Sequence, residues 1–264
     1  MRMAEELSRT VPAPVRRLLR REVGFGCPVP DCRLPFLEYH HFDPEWHVEH
    51  HHRPDGLIPL CPTHHSQADA FTREQLRNFK STAKDRVVAS GRFEWMRREL
   101  VGVVGGCLYH EVPVLVQFRG EPMVWFERDD DGHALLNVRM LTTVGNEQER
   151  IRIEDNDFVV RGAPTDFECP PSGKSLSVKY DNGDRMRIEF REIDSVDEAA
   201  GRYSHFRPGA MAMLGSAWPL TFIEVTMRAG GTEVAFDPTM TRLPGNNLMT
   251  GCVASHGAVG LAFD

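Results

Sequence analysis

The chain has 264 residues, of which 41% are hydrophobic and 26% are charged, as in ordinary globular proteins of one or two domains. Six cysteines are too few for a disulfide scaffold in a chain of this length. No apolar run is long enough to cross a bilayer, and the N-terminal stretch "MRMAEELSRTVPAPVRR" lacks the apolar core of a signal peptide. We therefore expect a cytoplasmic protein with no membrane partner.

The net charge of −7 is unevenly distributed. Residues 1–100 carry 16 Lys and Arg against 14 Asp and Glu, whereas residues 101–264 carry 15 against 24. A polyanionic partner would therefore bind the N-terminal part.

The first predicted element is a short amphipathic helix over "PVRRLLRREV", with Pro14 in its first turn and Gly24 and Gly26 at its end. Its polar face is rich in arginine, which suits either a solvated surface or a phosphate-binding surface. The arginines of this face are Arg16, Arg17, Arg20 and Arg21.

Residues 27–69 hold three of the six cysteines and eight of the twelve histidines. Cys27 and Cys32 flank a loop with two prolines, and Cys61 and His64 have the spacing of a zinc knuckle, "CPTH". Together they make a Cys3His set that suits a structural zinc ion. The alternative is a group of free cysteines on a core face.

A second set of possible ligands is interleaved with the first. "LEYHHFDP" places His40 and His41 at the end of a predicted strand, before a turn through Pro44. If "THHSQADAF" is helical, His65 and Asp69 share one helix face. His40, His65 and Asp69 would then converge on one divalent cation, and His41 would remain free to act as a base.

The stretch from about residue 24 to 70 resembles the HNH, or ββα-metal, nuclease family. "HHFDP" has the spacing of the colicin-type version of the family's first motif, and "DGLIPLCPTHHSQAD" is similar to its loop and final helix. The resemblance implies that His40, His65 and Asp69 bind a catalytic cation (Mg²⁺, Mn²⁺, Ni²⁺ or Zn²⁺) and that His41 is the general base. It also implies that the Cys3His set is a structural zinc site and that the substrate is DNA.

The sequence departs from the family at Gly56, where many members have an asparagine that ties down the loop. Asp55 or His52 is a candidate substitute. The loop "EWHVEHHHRP" is rich in histidine. Its histidines either include a metal ligand or a phosphate contact, or they form an exposed surface that binds nothing. They are His47, His50, His51 and His52. Glu38, two residues before His40 on the same strand face, is either a hydrogen-bond acceptor supporting that ligand or a solvated residue.

After the metal segment, "TREQLRNFKSTAKDRVVA" predicts a helix that Thr72 caps with Gln75 as the reciprocal partner. We expect its basic side chains to contact DNA phosphates together with those of the first helix. These side chains are Arg73, Arg77, Lys80 and Lys84. The stretch "FEWMRRELVG" predicts a second helix.

From about residue 101 the sequence changes to short, often alternating apolar runs. Asp131-Gly132 and Asn182-Gly183 are signals for hairpin turns. This part predicts an all-β domain, either a sandwich or a partly closed barrel. Its cysteines and histidines are scattered, and "ERDDDGH" is better explained as a hairpin turn than as a calcium loop.

The expected fold is therefore α+β. Residues 1–100 form a zinc-stabilised ββα-metal domain with flanking helices, and residues 101–264 form a β-rich accessory domain that mediates oligomerisation, restrains the nuclease or senses a ligand. The expected function is metal-dependent endonuclease cleavage of DNA, as in restriction or phage defence. The alternative is a non-catalytic zinc module that binds nucleic acid or protein.

Overall fold

A computed structural model describes residues 7–83, 89–140, 150–207, 209–215 and 217–264. The fold is α+β and consists mostly of β-strands. Contacts divide the chain into two compact units. The first unit comprises Met1–Gly91 and Thr165–Gly173, and the second comprises Arg92–Pro164 and Lys174–Asp264.

This division differs from the expected boundary after residue 100. The first unit ends at Gly91, and it also takes in a segment from the second half of the chain. That segment carries Asp166, which forms a buried ion pair with Arg20, 146 residues earlier in the sequence. A contact over that separation leaves no local signal in the sequence.

The first unit contains three helices and three complete strands among the residues described. In chain order they are α1 (Ala13–Glu22), β1 (Glu38–His41), β2 (Leu57–Leu60), α2 (Pro62–Ser66), α3 (Arg73–Thr82) and, from the later segment, Asp166–Glu168, which is β11 in the numbering of the whole chain. A further strand, β3 (Ala89–Arg92), lies where the chain passes into the second unit.

The helix predictions at α1 and α3 are confirmed. Pro14 lies in the first turn of α1, and the chain after that helix reaches a positive φ at Gly24. In α3 the side chains and backbones of Thr72 and Gln75 form the expected capping box. Leu19 and Leu76 are fully or almost fully buried on the inner faces of the two helices.

Strands β1 and β2 form an antiparallel hairpin in which His40 lies opposite Ile58 and His41 opposite Leu57. β2 is buried along its whole length, so it anchors the hairpin in the core of the unit. The connection from β1 to β2 carries the histidine-rich loop, and α2 follows β2 after a single residue, Cys61. Because β1 pairs with β2 and α2 follows β2 directly, the histidines at the end of β1 and those of α2 lie in the same part of the first unit.

The second unit is built mainly from strands. They are β4 (Val101–Val104), β5 (Cys107–His110), β6 (Val114–Phe118), β7 (Glu121–Arg128), β8 (Ala134–Arg139), β9 (Ile151–Glu154), β10 (Asp157–Val160), β12 (Ser175–Lys179), β13 (Arg185–Ile193), β14 (Leu220–Arg228), β15 (Ala235–Asp237), β16 (Met240–Leu243), β17 (Asn247–Met249), β18 (Cys252–Ser255) and β19 (Val259–Phe263). One helix, α4 (Val196–Arg202), also belongs to it. The sequence did not predict this helix.

The strands of the second unit form two sheets. One has the order β19-β6-β7-β8-β9-β10, and the other has the order β12-β13-β14-β15-β16-β17, with β4 parallel to β14 and followed by β5 and β18. Phe93 packs between rings from both sheets, with its centroid 5.0 Å from those of Phe158 and Phe190. The core of this unit therefore lies between the sheets.

Both hairpin signals are confirmed. Asp131-Gly132 joins the antiparallel strands β7 and β8, and Asn182-Gly183 joins β12 and β13. At each turn the glycine has a positive φ, which glycine adopts without steric cost.

The helix predicted over "FEWMRRELVG" is wrong. Residues 93–100 form no helix, and the backbone N–H of Phe93 donates to the carbonyl of Asn156. The ring of Trp95 stacks on Phe190 at 5.4 Å, and Arg97 forms an isolated bridge with Ala134. Packing of the Phe93 and Trp95 rings on Phe190 overrides the helix propensity of Glu, Met, Arg and Leu.

Among the described residues, no helix has both the length and the apolar character needed to cross a membrane.

Candidate metal centre and histidine cluster

The four residues of the predicted Cys3His set come together. Cys27, Cys32, Cys61 and His64 each offer one ligand atom, and all four atoms lie within 4.8 Å of one another. The Sγ atoms of Cys32 and Cys61 are 3.7 Å apart, and His64 Nδ1 lies 3.4 Å from Cys27 Sγ and 3.3 Å from Cys61 Sγ. This cluster can hold a metal ion.

The surroundings of the cluster are apolar. Cys27 and Cys61 are fully buried in the core of the first unit, beside Ile58 and Leu60. Burial raises the pKa of the Cys27 thiol and that of the Cys32 thiol. A bound cation would reverse this preference, since metal ligation requires the thiolate form.

The second predicted set is only partly assembled. The rings of His40 and His65 meet edge to face with centroids 5.5 Å apart. His65 Nδ1 lies 3.0 Å from Glu38 Oε2, so Glu38 supports His65 and not His40. Burial lowers the pKa of His40, and the charge of His65 acts in the same direction.

Asp69 is not joined to His65 by a continuous helix, although its charge still acts on His40. The helix α2 ends at Ser66, and Asp69 lies beyond a break at Gln67, in a 3-10 turn over Ala68–Ala70. The prediction that His65 and Asp69 share one continuous helix face is therefore wrong. Asp69 is exposed, and in the described part of the chain its carboxylate forms no compact ligand group with His40 and His65.

His41 is held in one orientation inside the first unit. Its side chain is buried, and Nε2 lies 3.0 Å from the carbonyl oxygen of His51. A carbonyl accepts, so Nε2 carries the proton and Nδ1 keeps the free lone pair. Burial, with the charges of His51, His52 and Arg9, lowers the pKa of His41 to about 4, although the bond to His51 opposes this shift.

His51, one of the loop histidines expected to bind a ligand or phosphate or to lie exposed, instead is buried and fixes the loop between β1 and β2. Its Nε2 donates to the carbonyl of Pro44 at 2.9 Å, and its Nδ1 accepts from the backbone N–H of Arg53 at 3.1 Å. These bonds tie down the loop, so neither Asp55 nor His52 is needed for that role.

The structure also explains Gly56. A Cβ atom there would lie 2.2 Å from the carbonyl oxygen of Asp43 and 2.7 Å from Cε1 of His51. The backbone carbonyl of Gly56 accepts from the N–H groups of Phe42 and Asp43. An asparagine side chain has no room at this position.

The rest of the loop surrounds His41 with aromatic rings. Trp46 lies 4.7 Å from His41, stacks on His50 at 4.5 Å and lies 5.6 Å from His52. Nδ1 of His52 is buried without a hydrogen-bond partner. His47 is exposed and contacts only Glu45 among the described residues, with 3.3 Å between Nδ1 and Oε2.

The basic side chains predicted to contact DNA are mostly engaged within the first unit. Arg20 is buried and pairs with Asp166 and Glu168, so the prediction that it reaches DNA is replaced by a structural role. Its neighbours Arg16 and Arg17 pair with Glu168 and Asp166, respectively. Arg21 is exposed.

The α3 side chains are also paired. Arg73 and Arg77 both contact Asp43, but they remain largely exposed and can still reach a phosphate. Lys80 is mostly buried and pairs with Glu22 at 2.9 Å, which suits a structural contact better than a DNA contact. Lys84 lies outside the described residues.

In the second unit, the described residues bring together one further group that could hold a metal ion, formed by Asp129, Asp131 and His133. Asp129 Oδ1 accepts from the backbone N–H groups of Asp131 and His133. These bonds are those of a tight turn between β7 and β8, as the sequence predicted. The turn is at the surface and carries no independent sign of a ligand.

Comparison of the chain with protein-family models, with curated proteins and with solved structures finds no match.

Proposed function

We propose that the first unit is a metal-dependent endonuclease that hydrolyses phosphodiester bonds in DNA, with a role such as restriction or phage defence. The observation that carries this proposal is the arrangement of two consecutive strand residues. The ring of His40 meets that of His65, whose Nδ1 lies against Glu38, while His41 is buried with one ring nitrogen held by a backbone carbonyl. A cation site and an oriented imidazole base are what hydrolysis of a phosphodiester requires.

The distances within the Cys3His cluster favour a structural zinc ion at this site. Tetrahedral zinc, with bonds of about 2.3 Å to sulfur and about 2.0 Å to nitrogen, separates two sulfurs by about 3.8 Å and sulfur from nitrogen by about 3.5 Å. The corresponding separations here are 3.7 Å and 3.3–3.4 Å. Three thiols and one imidazole form a closed set that leaves no coordination position for a substrate.

The catalytic cation would be held by His40 and His65. With Nδ1 of His65 directed at Glu38, its Nε2 is available as a ligand. When bound, a divalent cation supplies charge neutralisation at the scissile phosphate and a more acidic water molecule. Asp69 would be the third ligand, since its charge already acts on His40.

His41 would take the proton from the attacking water. Its depressed pKa keeps the ring neutral at physiological pH, so Nδ1 can accept a proton. A pKa of about 4 also makes the ring a weak base, since general bases act best when their pKa is near the working pH.

The experiment is cleavage of supercoiled plasmid with Mg²⁺, Mn²⁺, Ni²⁺ or Zn²⁺ added in turn. Loss of a general base typically lowers the rate by about 10²–10⁴-fold, so His41→Ala should lose most turnover while keeping its zinc content and its folded structure. His256→Ala, in the second unit, is the matched control. Wild-type protein that cleaves with none of these ions, or His41→Ala that cleaves at the wild-type rate, would refute the proposal.

A second candidate is a non-catalytic zinc module that binds nucleic acid or protein, with the second unit as an interaction or oligomerisation surface. Two observations favour it. His41 is 6% exposed, which limits the approach of water, and most of the predicted DNA contacts are internally paired. A protein that binds one zinc ion per chain and retains DNA yet never cleaves it would support this candidate.

A further inference from the structure

A cavity of about 310 Å³ lies within the first unit. Its walls come from the residues before α1, from the start of β1 and from β11 with the residues that follow it. This volume is at the lower end of the range for small-molecule sites, about 300–1,000 Å³. It is large enough for one nucleotide-sized group and too small for a base-paired duplex.

The walls of the cavity are mostly apolar. Its carboxylates are paired with basic side chains, so the charge left to bind a ligand is positive. Val11, Leu37, Tyr39, Pro170 and Pro171 provide apolar surface. The lining carboxylates are already engaged, because Glu168 pairs with Arg16 and Arg20 and Glu38 lies against His65.

Two arginines line the same cavity, Arg9 and Arg16. Nε of Arg16 is buried and has no hydrogen-bond partner. The Arg16 side chain is 36% exposed, with Nη1 3.3 Å from Glu168, so the outer part of its guanidinium group can meet an anionic group from the cavity. An anionic oxygen is the acceptor that a guanidinium binds best.

The cavity adjoins the candidate cation site. Glu38 lines it and also contacts His65. The charge of Arg9 is close enough to act on both His40 and His41. A DNA strand with its scissile phosphate at His40 and His65 would therefore place a neighbouring nucleotide at the cavity.

We propose that this cavity binds one unstacked nucleotide of a DNA strand next to the cleavage point, with Arg9 and Arg16 contacting its phosphate. The base lies against the apolar wall that includes Tyr39, where stacking on aromatic and apolar surface does not depend on sequence. A base in a duplex must leave its stack to enter, so single-stranded or locally opened DNA is the preferred substrate. This inference rests on the proposed function for the identity of the substrate.

The test is fluorescence anisotropy at fixed salt with the full-length protein and a labelled single-stranded oligonucleotide, its duplex, and a single strand that is abasic at every position. The wild type should bind the single strand more tightly than the duplex, and the fully abasic strand should lose that advantage. Arg9→Ala should weaken single-strand binding by about tenfold, the value of one charge-assisted hydrogen bond. Arg242→Ala removes an exposed arginine from the second unit and should change nothing.

Filling the cavity provides the second test. Thr10 is exposed and lines the cavity, so Thr10→Trp should remove the preference for single strands, leave duplex binding unchanged and preserve the melting temperature. Equal binding of both DNA forms by the wild type, or unchanged single-strand binding by Thr10→Trp, would overturn the inference. A cleavage assay separates the two proposals. Cleavage without a preference for single strands would disprove only nucleotide binding in the cavity. Single-strand binding without cleavage would disprove only the nuclease activity.

Discussion

The Nε2 atom of His41 lies 3.0 Å from the backbone carbonyl oxygen of His51. The same His51 uses both of its ring nitrogens to hold the loop, one on Pro44 and one on Arg53. The orientation of His41 therefore depends on a second histidine ten residues later. His51 acts through His41 and is a positioning residue.

We expect His51→Ala to loosen the loop without releasing the metal ion of the Cys3His cluster. A buried partner that loses its hydrogen bond costs about 1–3 kcal/mol, so amide hydrogen exchange over residues 44–53 should speed up markedly. His51→Gln, which keeps one donor and one acceptor, should restore part of the protection. Glu49→Gln, which breaks only the exposed pair with Arg53 in the same loop, is the control, and equal exchange in all variants would contradict the role.

Gly56→Ala should destabilise the first unit. The added Cβ would lie 2.2 Å from the carbonyl oxygen of Asp43, a backbone atom that cannot move aside cheaply. Overpacking of this kind typically costs about 1–3 kcal/mol, which thermal unfolding would detect. Gly201→Ala is the opposite control, because a Cβ in α4 meets nothing within 4 Å and should stabilise by about 0.5–1 kcal/mol. A Gly56→Ala protein as stable as the wild type would show that the loop adapts.

Local signals in the sequence predicted the parts of the fold that depend on neighbouring residues. The capping box at Thr72 and Gln75 lies within one turn, and Asn182-Gly183 sets a hairpin by its own backbone conformation. The Cys3His set was predictable because its ligands come in two closely spaced pairs.

Other features depend on contacts that no local pattern encodes. Asp69 lies four residues after His65, yet the helix ends at Ser66, and periodicity alone does not locate such an end. The joining of β11 to the first unit depends on Asp166 and Arg20, which are far apart in sequence. The steric reason for Gly56 appears only when the carbonyl of Asp43 is placed beside it.

Removal of one ligand should dismantle the Cys3His site. Cys61→Ser leaves a weaker donor in a buried position, so the protein should lose its metal ion, and the fluorescence of Trp46, the tryptophan of the first unit, should report unfolding there. Elemental analysis should find about one zinc ion per chain in the wild type. Cys252→Ser, outside the cluster, should retain zinc and melt normally. A zinc-free wild type that melts like Cys61→Ser would leave the cluster as a set of packed thiols.

The second unit should show an acid-dependent loss of stability centred on Glu224. Burial alone would raise the pKa of this carboxyl, but hydrogen bonds from Arg202 and Tyr203 and the charge of Arg191 lower it overall. A folded-state pKa below the unfolded value gives stability that is present above about pH 4.5 and is lost as the pH falls through the folded-state pKa. Glu224→Gln should therefore be less stable than the wild type near neutral pH, and the difference should shrink on acidification.

Urea unfolding between pH 3 and pH 7 would measure this difference. Hydrogen bonds to a charged group contribute about 1.5–3 kcal/mol, which sets the gap expected near neutral pH. Glu192→Gln, which removes an exposed carboxylate 3.5 Å from Arg97, should lie within about 0.5 kcal/mol of the wild type throughout. A gap between Glu224→Gln and the wild type that does not change with pH would rule out the ionised carboxylate as its source.

The buried ion pair between Arg20 and Asp166 should determine whether the segment Thr165–Gly173 stays packed in the first unit. Two nitrogens of Arg20 contact Asp166, and its third contacts Tyr39 and Glu168. Asp166→Ala leaves the buried guanidinium of Arg20 short of one partner. Loss of one member of a buried ion pair typically lowers the free energy of unfolding by about 3–5 kcal/mol. We expect a smaller loss here because Glu168 still pairs with Arg20. Arg20→Met together with Asp166→Ala removes both charges and should cost less than Asp166→Ala alone. Melting temperatures and limited proteolysis within residues 165–173 would measure the effect, and additive costs would show that the two side chains do not act as a pair.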